Sequence, residues 1–480
     1  MNPEVKNLTV GAALAAALTL AGAPDAAAQN LSAARNPGAT AYGAVPLGPN
    51  TEVRGGGLFA VVRDEAPKPG EVGGAPLVLR ASKALLCSAE GDQVANRVDL
   101  LVDQGRIAAI GRQGELDLPE DAVIRDCGDQ WLMPGLVDLH CHIAGKSLFV
   151  TNDLNDAVLL TNPGLRASSA VEPYNDSMQM GVAGGVTSVL YIPGSATNIG
   201  GQGVLLKTGF DRYEDMEIRN PGSMKLAQAG NPERWAIGVG RSFMNWNTRN
   251  TVARGLAYAA AWAQGAWSDG RAVDTSPIPN PQWDVFRSLA AGETQISAHT
   301  QIFQVVLATI TMMRRDFGLD VYIDHGTIGG WKAGGLAQEY GVPAIVGPRA
   351  VDTTSTGFQR ITAAQEDGIR GVAAGYQRMG HTNVGFNTDS PVIPQEELSL
   401  QGALAARYGF KDDSLQVVRG LTIVPAMASG IDHLVGSLEV GKHADILVLT
   451  GHPADPRTSI ESVFIEGRRV YDPARDGRLW

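Results

Sequence analysis

The chain has 480 residues, 44% hydrophobic and 19% charged, with 58 glycines and 26 prolines. That is ample material for a large core, and no Gly-x-y period runs through it, so collagen-like and disordered classes are excluded. With 39 basic against 50 acidic residues the formal charge is -11, and no Lys/Arg run tracks a phosphate backbone, which argues against nucleic acid as a partner; three cysteines cannot make a disulfide scaffold.

At the N-terminus, the apolar stretch Leu8 to Gly22 is followed by Ala26-Ala27-Ala28, the small-residue pattern that signal peptidase cleaves. Residues 1–28 therefore read as a signal peptide, although Lys6 is the only side-chain cation ahead of it, and a periplasmic or secreted location is expected. No other apolar run reaches the ~18 residues that span a bilayer. Residues 29–74, rich in Ala, Gly, Pro and Asn and including Gly55-Gly56-Gly57, read as an irregular arm or linker.

From Pro76 short β-type runs appear: Leu77-Val78-Leu79, Val98 to Val102 and Ile107 to Ile110. The same texture returns at Ile446 to Leu449, Ser462 to Ile465 and Val470-Tyr471, so residues 75–133 and 434–480 are expected to join in one discontinuous β-sandwich domain. Between them, residues 134–433 alternate β-type runs with helical patterns, the signature of an α/β fold with parallel strands and crossover helices. In the clearest unit, residues 294–298 read as a strand, and Ile302, Val306, Ile310, Met313 and Phe317 then form one apolar helix face that Gly318 stops. Leu319 to Ile323 is the next strand. A TIM-type (β/α)8 barrel fits this length better than an open sheet, and Gly200-Gly201-Gln202-Gly203 lacks the dinucleotide fingerprint.

Chemistry enters at His140-Cys141-His142. Two residues along a strand advance about 6.6 Å and return the side chain to the same face, so both imidazoles can converge on one ion. Cys141 points away from that face and reads as core. The run Pro134-Gly135-Leu136-Val137-Asp138-Leu139-His140-Cys141-His142 resembles the first-strand motif of the amidohydrolase superfamily of metal-dependent hydrolases. Gly436 to Val448 is similar to that family's return from barrel to sandwich. The resemblance covers about Leu77 to Tyr471. It looks closest to the imidazolonepropionase-like and prolidase-like branch through Gly184 to Val189, Ser223 to Ala227 and Asn387 to Pro391.

The resemblance implies a metal set of His140, His142, Lys225, His299, His325 and Asp389, holding one or two divalent ions, with zinc expected. Asp389 would also be catalytic, taking a proton from the attacking water. His299 and His325 each follow a strand, and Asp389 ends the eighth strand, although a helix-capping role would also fit an Asp there. Lys225 could ligate only as a carbamate bridging two ions, because an ammonium has no lone pair; Lys207 competes for that role. His381, His433, His443 and His452 read as structural.

The implied activity is hydrolysis of an amide-type C-N bond in a small-molecule substrate such as a dipeptide or N-acyl amino acid. Two alternatives stay open: a one-metal deaminase or cyclic-amide hydrolase using His140, His142, His299 and Asp389, and a non-catalytic secreted ligand-binding barrel. Homo-oligomerisation is also open. The segment 241–293, with Tyr258, Trp262, Trp267 and Trp283, is a long insertion whose aromatics would either face a substrate or pack its own helices.

Overall fold

The computed structural model describes residues 61–62, 74–88, 93–145, 155–156, 159–228, 231–234, 240–266, 280–348, 351–352 and 370–480. The signal peptide and nearly all of the arm lie outside these residues. Of the arm, Val61–Val62 is a short strand lying antiparallel on Asn220 and Arg219.

Five strands come first: β1 (Leu77–Leu85), β2 (Val94–Asp103), β3 (Arg106–Arg112), β4 (Val123–Asp126) and β5 (Trp131–Pro134). Eight barrel strands follow, with a separate two-residue pair, Val351–Asp352 and Arg370–Gly371, between the last two: β6 (Leu136–Cys141), β7 (Val186–Tyr191), β8 (Ile199–Lys207), β9 (Glu217–Ala227), β10 (Ile296–Thr300), β11 (Val321–His325), β12 (Ala344–Val346) and β13 (Val384–Phe386). The chain ends with β14 (Ile446–Leu449), β15 (Ile460–Ile465) and β16 (Arg468–Tyr471).

The two chain ends do join. β5 pairs antiparallel with β14, from Pro134 opposite Ile446 to Trp131 opposite Leu449, and the strands from both ends form one hydrogen-bonded eight-stranded sheet. Alternating residues of β1, β2 and β14, such as Leu79, Leu100 and Ile446, bury a hydrophobic cluster of their own.

β6 to β13 pair in the order β13-β12-β11-β10-β9-β8-β7-β6, giving a nearly closed eight-strand barrel. At the seam Cys141 bridges Ser390, and the His142 N–H donates to the Ser390 carbonyl at 2.9 Å. Below it the Thr388 hydroxyl donates to Asp138 Oδ2 at 2.6 Å. One expectation fails. β8 runs antiparallel to both β7 and β9, so the strands are not all parallel. The reason lies in residues 192–198, which are too few for the dozen or more that a parallel crossover needs.

The helix expected after β10 is present over Phe303–Asp316, with Val306, Ile310 and Met313 buried and Gly318 at φ 69° just beyond it. Its second half, Ile310–Asp316, widens to π-helical bonding; the Phe317 N–H reaches the Met312 carbonyl at 3.2 Å. In the insertion, helix Arg241–Ala266 is anchored on the barrel rim, where Asn247 Nδ2 donates to Asn198 Oδ1 at 2.8 Å and to Thr161 Oγ1 at 3.0 Å. The described aromatics pack within the insertion. The Tyr258 hydroxyl donates to Asp284 Oδ1 at 2.7 Å, the Arg287 guanidinium sits 4.1 Å over the Trp262 ring, and Trp283 packs on Phe286. Trp267 lies outside the described residues. No described helix is long and apolar enough to cross a membrane.

Candidate metal centre

All six residues singled out in the sequence come together at the C-terminal ends of the parallel strands. His140 is in β6, with His142 just past its end; Lys225 is in β9, His299 in β10, His325 ends β11, and Asp389 follows β13. Two boundaries differ from expectation: β10 and β11 each run two residues further, so His299 and His325 belong to their strands instead of following them. Successive strand residues should face opposite ways. Asp324 and His325 nevertheless both reach the site, because His325 has φ 70°, in the left-handed region; Asp389, at φ 49°, is turned by the same device.

His140 Nε2 lies 3.0 Å from His142 Nε2, 3.1 Å from Asp389 Oδ1 and 3.1 Å from Lys225 Nζ. His142 Nε2 lies 3.3 Å from the same Asp389 oxygen. On the far side, His325 Nε2 is 2.8 Å from His299 Nδ1 and 4.0 Å from Asp389 Oδ2. Two outward nitrogens are hydrogen-bonded, His142 Nδ1 to the Ile192 carbonyl at 2.9 Å and His325 Nδ1 to the Gly347 carbonyl at 2.7 Å, while His140 Nδ1 lies 2.6 Å from the Asp324 carboxylate without hydrogen-bond alignment. Carbonyls accept only, so the Nδ1 proton belongs on the His142 and His325 rings and their Nε2 lone pairs point inward, to the side that His140 Nε2 also faces. Lone pairs brought this close repel one another, and a cation between them removes the repulsion. The donor set, neutral imidazoles with one carboxylate, suits a divalent transition metal. Among the described residues, His140, His142 and Asp389 form one group able to hold an ion, and His140, Asp324 and His325 form another.

Burial opposes the charge on Asp389, but His140, His142 and His325 outweigh it and hold the carboxyl far below its usual range. Burial also lowers the Lys225 ammonium, against the pull of Asp324 and Asp389, which favours the neutral amine. His299 is pushed well below its ordinary value by burial and by His325. The side chains of His142 and Asp389 are 18% and 19% exposed while those of His140 and Lys225 are at 1% and 0%, so the site opens to solvent on the His142–Asp389 side.

Lys207 is not a competitor. It ends β8, whose reversed direction carries it away from the cluster, and its Nζ pairs with Asp445 Oδ2 at 2.5 Å, both side chains buried. Removing one partner of such a pair leaves a buried charge, so Lys207→Met is expected to cost about 3–5 kcal/mol of stability, read from urea midpoints. A midpoint equal to wild type would contradict this. His381, His433, His443 and His452 belong to neither metal-competent group: His381 Nδ1 faces Gln338 Oε1 at 2.9 Å, His443 Nδ1 faces Glu466 at 3.4 Å, and His452 Nε2 faces Asp412 at 3.3 Å. Cys141 is fully buried, and burial together with Asp138 pushes its thiol up to about 12, so it is no nucleophile.

Two carboxylates that touch the cluster were not singled out in the sequence. Asp138, pushed up to about 6 by burial, accepts from the Thr388 hydroxyl and, at 3.2 Å, from the His140 N–H, tying β6 to the Asp389 turn. Asp324 contacts His140. Its adjacency to His325 was the available signal, although strand alternation would place the two on opposite faces.

A family profile described as "Amidohydrolase family" matches residues 310–470. Among curated proteins, "Amidohydrolase tasK" of Hapsidospora irregularis is 24% identical over 410 residues, 78% of this chain; the match spans only 40% of that relative's length. The imidazolonepropionase of Cupriavidus pinatubonensis is 42% identical over 60 residues, 12% of this chain and 14% of its own. Among solved structures, an amidohydrolase from Thermotoga maritima superposes with a TM-score of 0.71 at 26% identity, covering 82% of this chain and all of that one.

Proposed function

Because the chain belongs to the amidohydrolase superfamily, we propose that it hydrolyses an amide-type C-N bond of a small molecule, with one or two divalent ions held by His140, His142, His299, His325 and Asp389. The observation that carries this reading is the inward convergence of imidazole nitrogens on Asp389, beneath the partly exposed side of the cluster. Bound there, a divalent ion lowers the pKa of water toward neutrality and polarises the scissile carbonyl.

The chain's own residues do the rest. Asp389, ionised and open to solvent on one side, accepts the proton of the attacking water and delivers it to the leaving nitrogen. Lys225, its ammonium lowered by burial, would become an anionic oxygen donor to a divalent ion if its neutral amine added carbon dioxide with loss of a proton. A second reading is a one-metal deaminase or cyclic-amide hydrolase using His140, His142, His299 and Asp389, in which Lys225, with Nζ 3.1 Å from His140 Nε2, acts as an amine. Metal stoichiometry separates the two.

The proposal extends to a barrel of residues 134–433 with a β-sandwich from both chain ends, and to export to the periplasm or beyond. The test is a panel of dipeptides, N-acyl amino acids, cyclic amides and aminopurines incubated with the zinc-replete protein. Release of a carboxylate and an amine supports the main reading, and ammonia from an amine supports the second. Zinc-replete protein inert across the panel would support a binding protein and contradict both.

A further inference from the structure

We propose that Asp324 is a positioning residue that fixes the tautomer and orientation of His140, so that this histidine presents a lone pair to the metal centre; the inference rests on the metal-binding reading above. Asp324 is fully buried, and each of its oxygens is engaged. Oδ2 lies 2.6 Å from His140 Nδ1 and accepts from the Ser297 hydroxyl at 3.0 Å. Oδ1 accepts from Asn387 Nδ2 at 3.0 Å, and Lys225 Nζ stands 3.8 Å from Oδ2. One carboxylate on β11 is thereby tied to side chains from β6, β9 and β10 and from the residue just past β13.

The Asn387 amide cannot turn its oxygen toward Asp324 at no cost, because the same Nδ2 donates to the Ile345 carbonyl at 2.8 Å. Ser297 and Asn387 therefore hold the carboxylate in place. Lys225 Nζ, a donor 3.1 Å from His140 Nε2, and Asp324 Oδ2, an acceptor 2.6 Å from Nδ1, together favour the proton on Nδ1. Nε2 is left as a lone pair, at the nitrogen that faces His142 and Asp389. Asp324 also lies close enough to His140 and His325 to be read as a ligand. Its engaged oxygens argue instead that it acts through His140, as carboxylates behind metal-bound histidines do.

The test compares wild type, Asp324→Asn and Ser297→Ala. Zinc affinity is measured by competition with a chromophoric chelator. The His140 tautomer is read from its nitrogen-15 shifts in metal-depleted protein above pH ~9, because burial is outweighed by Asp324 and Asp389, which raise this imidazole to about 9; the signal is assigned by its loss in His140→Gln. Asparagine places an N–H₂ where an acceptor stood. Zinc affinity is expected to fall about 10–100-fold in Asp324→Asn, and the His140 proton to move to Nε2. Ser297→Ala, which keeps the carboxylate, is expected to retain the Nδ1 proton. A neutral His140 in metal-depleted wild type with its proton on Nε2 and a bare Nδ1 overturns the proposal without any variant. Loss of a whole zinc equivalent in Asp324→Asn with the tautomer unchanged overturns it in favour of a ligand role. Zinc uptake by wild type together with an Asp324→Asn variant unaltered in both readouts overturns this inference alone, whereas no zinc uptake by wild type overturns the metal-centre reading with it.

Discussion

Asp389→Asn is expected to lower kcat by about 10²–10⁴-fold, the range supplied by a positioned proton acceptor. Asparagine keeps an oxygen that can face His140 and His142 but cannot take a proton at neutral pH. Excess zinc should not restore the rate, because the lost function is proton transfer as well as ligation. The strongly lowered Asp389 carboxyl means that wild type keeps its proton acceptor ionised throughout the neutral range. Steady-state kinetics at saturating zinc check the prediction. A kcat within twofold of wild type would remove Asp389 from the chemistry and leave it a ligand only.

The second large effect is expected from His142→Ala. This side chain is partly exposed, in contrast to the buried His140, so its truncation opens no core cavity and is expected to spare folding. It deletes the lone pair that the Ile192 carbonyl aims inward. The variant is expected to lose at least one equivalent of metal and to hydrolyse substrate no faster than chelator-treated wild type, while its circular dichroism matches that of metal-depleted wild type. Retention of full metal content and activity would show that the ion sits elsewhere.

What could be read from the sequence followed from whether residues carried a period or a direction. The helix after β10 was legible because Val306, Ile310 and Met313 recur on one face and Gly318 ends it, although nothing in that spacing announced its π-helical half. His140 and His142 were legible because strand alternation alone puts them side by side. The reversed course of β8 was not. Its residues are all buried, so the pattern carries no direction, and only the short link after β7 could have shown it. That reversal also separates the two lysines: Lys207 is carried to Asp445, and Lys225 to His140. Asp324 escaped notice because alternation predicts a face that the left-handed backbone at His325 overrides. Backbone strain of that kind leaves no mark in side-chain spacing.

The central claim is that these imidazoles and Asp389 hold a catalytic divalent ion. Its most direct test is elemental analysis of protein purified without chelator, paired with the hydrolysis rate before and after chelation and after zinc is returned. The expected result is one or two equivalents of a divalent metal, a rate that falls to background on chelation, and recovery in step with zinc uptake. Metal-free protein that hydrolyses the C-N bond at the undiminished rate would contradict it.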